Sequence, residues 1–172
     1  FGLMQDFDSG LLGISLSNNL SGTTSASVSR SLDWSTGSLA FDLGFSIEPG
    51  GTGATAGLGY RQDFKDAVFG ASASLNSDPN GTSSSARASY RYQVNDISQL
   101  SLSFNYSGSG SGGGFETDHR AKLSASYSRD ITDDIYLNAG YSLDFLDNAG
   151  SDAAFSNGIF FGIGRSYSFR PW

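Results

Sequence analysis

A chain of 172 residues has room for one domain, and its 38% hydrophobic content is low for a packed soluble core. A net charge of −7 with only two lysines argues against a nucleic-acid partner. The absence of cysteine excludes a disulfide framework and a thiolate metal site, and no run of about 18 apolar residues is present to make a membrane helix.

Abundant serine and 23 glycines resemble the composition of a disordered segment, but 13% aromatic residues placed in strict alternation argue against disorder. Leu39, Phe41, Leu43, Phe45 and Ile47 interleave with Ala40, Asp42, Gly44 and Ser46. Leu100, Leu102, Phe104 and Tyr106 interleave with Ser101, Ser103 and Asn105. A period of two means a strand with one apolar and one polar face. The pattern recurs about ten times in segments of about 9–11 residues, the length with which a tilted strand crosses a bilayer.

Taken in order, residues 1–9 come first. Phe1, Leu3, Gln5 and Phe7 match the parity of Leu58, Tyr60, Gln62 and Phe64, so this stretch is either a periplasmic lead-in or the end of an additional strand. A chain opening on Phe1 without methionine reads as a mature or trimmed form whose leader is absent. Strands are then predicted at 10–18, 23–34, 38–48, 54–64, 67–76, 83–95, 98–108, 119–131, 134–146 and 157–169. A hairpin repeat supports them: the stretch from Gln62 to Ser72 resembles that from Gln5 to Ser15.

Short turns rich in Asp, Asn, Ser and Gly fall near 35, 65, 96 and 132. Longer loops are predicted at 48–53, 76–82, 107–119 and 146–157, with a shorter one at 18–22. That asymmetry places the short turns in the periplasm and the loops near 20, 51, 79, 112 and 151 outside the cell.

One parity is set against lipid: Leu12, Ile14 and Leu16 early in the chain, Leu137, Tyr141, Leu143 and Phe145 late in it. An interfacial girdle is predicted from Arg30, Trp34, Tyr60, Phe64, Tyr92, Arg129, Arg165 and Phe169, near the short turns. An arginine at mid-bilayer costs about 2–4 kcal/mol but only about 0–1 near an interface, where it snorkels to headgroups. Ala54, Ala56, Ala71, Ala73, Ala86 and Ala88 make a smooth outward patch, either a protein contact or a weakly hydrophobic lipid face.

The other parity is mostly serine and glycine, with Asp42, Arg61, Arg87, Arg91, Lys122 and Asp144 as its larger charged groups. Buried charges of this kind need partners or water. The interior is either a narrow wet lumen or a closed one knitted by serine hydroxyls and ion pairs.

No catalytic, cofactor or metal site is expected. The single histidine, His119, follows Asp118, and neighbouring strand residues point to opposite faces, so the two cannot serve one substrate. The omptin proteases carry Asp-x-His and the barrel acyl hydrolases His-x-Ser; here His119 is followed by Arg120 and Ala121, and both resemblances fail at the site. His119 reads as a solvated loop residue. Asp147, Asn148 and Asp152 lack the EF-hand spacing.

The run Gly162-Ile163-Gly164-Arg165-Ser166-Tyr167-Ser168-Phe169 resembles the terminal strand of bacterial outer-membrane β-barrel proteins of the porin-like superfamily. The resemblance is architectural and covers residues 10–172. It implies a partner, the barrel-assembly machinery, which reads that strand through Phe169 or Trp172, and a setting of outer-membrane lipid and lipopolysaccharide. The expected fold is all-β: a transmembrane antiparallel up-and-down β-barrel of about ten strands. The expected role is a narrow porin-like channel for passive diffusion of small solutes. Two alternatives stand beside it: a structural barrel that anchors the envelope, displays adhesive loops or serves as a subunit of a larger envelope assembly, and a secreted β-sandwich binding protein.

Overall fold

The computed structural model describes residues 2–7, 10–20, 22–111, 118–132, 134–148 and 151–165. Among them are eleven strands and no helix: β1 (Gly2–Phe7), β2 (Gly10–Asn18), β3 (Thr24–Trp34), β4 (Gly37–Glu48), β5 (Gly51–Asp63), β6 (Ala67–Asp78), β7 (Gly81–Asn95), β8 (Ser98–Ser111), β9 (Asp118–Asp130), β10 (Ile135–Asp147) and β11 (Ala154–Arg165). Each strand pairs antiparallel with the next, giving one eleven-stranded sheet in chain order. The eleventh strand beyond the ten predicted is β1, whose six residues pair with β2 from Gly2 opposite Ser15 to Phe7 opposite Gly10. No pairing joins β1 to β11 among the described residues.

The period of two in the sequence becomes register. Leu43 faces Val28 on one side and Ala56 on the other, while Asp42 faces Ser29 and Gly57. Directly paired residues share a face, so apolar residues line one side of the sheet and small polar residues the other. Among the described residues the register shifts only at β7–β8, between Gln93 and Asn95, where Gln93 Nε2 donates to the Asn95 carbonyl at 2.7 Å. That bulge closes the short turn at residues 96–97.

No hydrophobic side chain is buried among the described residues; Leu43, Phe45, Ile47 and Leu58 are 50–57% exposed. Phe41, Phe104 and Leu143 lie on one face of one sheet, with Leu123 of β9 opposite both Phe104 and Leu143. A β-sandwich needs a second layer and a dry centre. The described residues form a single layer, so the sandwich alternative is set aside.

Two of the predicted loops are corrected. Pairing runs on to Glu48 opposite Gly51 and to Asp78 opposite Gly81, so 48–53 and 76–82 are tight hairpins rather than long loops. Pro49 and Pro79 sit in the turns at residues 49–50 and 79–80, where a missing N–H breaks no ladder bond. The Asp78 carboxylate accepts from the Asn80 and Gly81 amides at 2.7 and 3.1 Å, tightening the second turn. The longer connections at this end lie between β2 and β3, β8 and β9, and β10 and β11. Gly22, at φ 86°, takes the left-handed conformation in the first of these.

Candidate functional site

The polar face carries the charged side chains, and strand pairing sets five of its positions on one rung. Asp144 pairs with Lys122, Lys122 with Asn105, Asn105 with Arg87, and Arg87 with Ser72. Residues that were distant in sequence become direct neighbours because consecutive strands align at these positions. Lys122 Nζ lies 3.5 Å from Asp144 Oδ2. Hollows of about 410 and 380 Å³ flank Arg87 and Asn105 on this face, the first reaching Arg61 and Ser89, the second reaching Lys122 and Asp144. A third, of about 310 Å³, lies over Ser25, Ser27, Thr55 and Asn76.

Arg61 stands apart from that rung. Its guanidinium is 2.9 Å from Asp63 on the same strand and face, one pleat period away. Asp42 leans over Gly57 of β5, whose missing Cβ leaves the carboxylate its room. Arg87, Arg91 and Asp42 have no ion-pair partner among the described residues. Arg61, Arg87, Arg91, Lys122 and Asp42 are exposed and Asp63 and Asp144 half-buried, so each ion pair has an exposed partner and contributes little to stability.

Serine hydroxyls knit the wall between the charges. Ser15 and Ser27 are 2.7 Å apart, Ser17 and Ser25 2.7 Å, Ser74 and Ser85 2.8 Å, and Ser103 and Ser124 2.6 Å. Each is a directly paired position, so the hydroxyl of one strand reaches the hydroxyl of the next.

Four residues of this face were not singled out from the sequence. Arg120 shares the parity of Lys122 and lines the same hollow, and Asp63 shares that of Arg61. Tyr136 and Phe160 also point to the polar side, each opposite a glycine: Tyr136 faces Gly164, and Phe160 faces Gly140. The rings lie over those glycines, so a Cβ on either would collide with the ring opposite. Parity was the available signal for all four.

On the apolar face, the predicted girdle residues gather at the short-turn end. Trp34 and Tyr60 have ring centroids 6.1 Å apart, and Tyr60 and Phe69 6.0 Å. Gln62 ties them together: its Oε1 accepts from Trp34 Nε1 at 3.2 Å and from the Tyr60 hydroxyl at 3.3 Å, and its Nε2 donates to the Thr36 carbonyl at 3.0 Å. Phe64 and Tyr92 line a hollow of about 370 Å³ with Tyr90, beside the turn at residues 64–66. Arg129 pairs opposite Leu137 and Arg165 opposite Ile135, both close to the turn between β9 and β10. Arg30 sits deeper, opposite Phe41, about 13 Å along the strand from Trp34 at roughly 3.3 Å per residue. Phe169 and Trp172 lie outside the described residues.

The alanines divide into two sets. Ala71 pairs with Ala88 and Ala73 with Ala86, making a contiguous block, while Ala54 and Ala56 are separated from it by Leu58 and Leu75. His119 is corrected from a loop residue to a strand residue of β9. It faces the apolar side, its Nδ1 is 2.9 Å from the Tyr106 hydroxyl, and the rings stack with centroids 6.1 Å apart. Asp118 takes the opposite parity, paired with Ser109.

A single sheet with an unburied apolar face, a hydroxyl-rich opposite face and aromatic rings gathered at one end matches solved barrel walls. OmpT of Vibrio cholerae, an outer membrane protein folded in vitro, superposes with a TM-score of 0.58 at 12% identity, over 95% of this chain and 62% of that one. The chain has the fold of a bacterial outer-membrane β-barrel. A loop L8 deletion mutant of the same Vibrio protein gives a TM-score of 0.58 over 60% of its chain, and its outer-membrane-expressed form gives 0.57 over 62%, both at 12% identity. The barrel chain described here therefore spans about three fifths of these neighbours. No sequence-family model matches it, and no protein of curated function matches it in sequence.

Proposed function

We propose that the protein is an outer-membrane wall of porin-like character, conducting small hydrophilic solutes by passive diffusion along its polar face. The observation that carries this reading is the rung Asp144–Lys122–Asn105–Arg87–Ser72, flanked by two hollows on the side away from the apolar face. A bilayer-spanning sheet with small residues and hydrated charges on one face lines water rather than a dry core. Lys122 is offset by Asp144 and Arg61 by Asp63, which leaves Arg87 at mid-wall, Arg91 toward the short turns and Arg120 toward the opposite end, opposed by Asp42. The channel therefore favours anions. No chemistry on a substrate is assigned to it.

Planar-bilayer recording of the purified protein tests this. Discrete conductance with a reversal potential on the anion-selective side is expected, moving toward cation selectivity in Arg87→Glu. A protein that inserts but shows no discrete conductance rules out the channel.

A structural barrel is the second reading. It is favoured by the four hydroxyl pairs at 2.6–2.8 Å that stitch the polar face, and by the alanine block of β6 and β7, where another surface can approach closely. In either reading, outer-membrane lipid and lipopolysaccharide surround the apolar face, and the terminal strand engages the barrel-assembly machinery.

A further inference from the structure

Strand direction fixes a property of this sheet that its residues do not reveal one by one. In a meander with every neighbour antiparallel, odd-numbered strands all run the same way. β1 and β11, the two edges, are therefore parallel to each other. Joining them directly would need a parallel ladder, whereas single-chain bacterial barrels have an even number of strands and antiparallel closure. A second copy does not help. Copies inserted in the same orientation present edges that run the same way, so every junction between copies is again parallel.

The edges are also chemically unfinished. Phe155, Ile159, Phe161 and Ile163 on β11 are 71–82% exposed, against 39–40% for Leu102 and Phe104 on the interior strand β8. β1 presents Leu3 and Phe7 on the same face, 50% and 43% exposed. Apolar edge strands with free backbone donors and acceptors are templates for further strands and are not left open in a bilayer. The neighbours extend well beyond the match, since this chain spans only 60–62% of their length.

We infer that these eleven strands are one section of a wider barrel, completed by an odd number of additional antiparallel strands. The first of them pairs with the free edge of β1, the last with that of β11, and they belong to the same polypeptide. Their chemistry follows from the edges: alternating segments, apolar on the face of Leu3 and Ile163 and small or polar on the other. A conducting and a plugged barrel need these strands equally, so the inference stands apart from the channel reading.

Intact-mass measurement of the protein extracted from its native outer membrane tests it. The expected result is one polypeptide well above 18.1 kDa, whose additional sequence holds an odd number of such segments. A native chain of 18.1 kDa overturns the inference, whether it closes alone or beside a different polypeptide. Oxidative cross-linking in the native-length protein gives an independent readout. Tyr141→Cys with Ile159→Cys, directly paired on β10 and β11, forms a disulfide and shows that the wall is folded. Gln5→Cys with Ile163→Cys forms none; an efficient intrachain disulfide there means that β1 and β11 touch, and overturns the inference.

Discussion

Glycine placement gives the most direct test of single positions. A Cβ on Gly140 would meet both the Phe160 ring and the Ala125 carbonyl oxygen, whereas the three atoms nearest one on Gly164 all belong to the Tyr136 side chain. A ring can swing away, but a ladder carbonyl cannot move without its strand. Gly140→Ala is therefore expected to cost about 1–3 kcal/mol, the usual range for overpacking, and Gly164→Ala distinctly less. Urea unfolding in phospholipid vesicles measures both. Neither ring-over-glycine pair was legible in the sequence, because register is needed to know which glycine lies under which ring. The charged residues of the polar face were legible, since Arg61, Arg87, Arg91, Lys122, Asp42 and Asp144 share one parity. Of their pairing, only Arg61 with Asp63, one pleat period apart on one strand, could be read by counting; Asp144 meets Lys122 only through the alignment of β9 with β10.

Hairpins and their ends carry the next level of organisation. The short-turn end between β3 and β6 is held by Gln62, which bonds Trp34, Tyr60 and Thr36 at once. Gln62→Ala removes one acceptor and one donor from this group. A net loss of about 1.5–4.5 kcal/mol is expected for the three hydrogen bonds, at roughly 0.5–1.5 kcal/mol each. Trp34 fluorescence should report the loosening in a variant in which Trp172 is replaced by Phe. An unchanged spectrum and midpoint would show that the aromatic contacts alone order this end. The strands themselves followed from alternation, and β2 begins and ends at the predicted residues 10 and 18. The opposite hairpins did not: Pro and Gly mark a turn without fixing how far pairing runs, and Glu48 opposite Gly51 and Asp78 opposite Gly81 extend the ladder to the tip.

In an outer-membrane barrel the apolar face meets hydrocarbon, and under the proposed function the polar face meets water; paired substitutions separate the two. Leu43 lies mid-strand on the apolar face, and Thr55 lies on the polar face opposite Gly44. Leu43→Arg is expected to reduce the stability of the protein folded in vesicles by about 2–4 kcal/mol, the midplane cost of arginine on a lipid-facing wall. Thr55→Arg should leave stability nearly unchanged and alter conductance instead. Equal destabilisation by the two would mean that both faces are buried in protein. Arg30 belongs to the same test. Opposite Phe41, it is deeper than Arg129 and Arg165, so Arg30→Leu should stabilise a lipid-facing wall and weaken one that meets another protein there.

Alternation alone was enough to declare strands, two chemically distinct faces and a membrane-spanning wall, because side-chain direction in a strand depends only on counting by two. The same counting put most rings and the serine hydroxyls on opposite faces. It is blind to everything that needs two strands at once. Which charge meets which, where a ring covers a glycine, how far a hairpin zips, and that the two edge strands run in the same direction are all properties of pairing. Pairing brings together residues that no local pattern connects, and it entered only with the folded sheet.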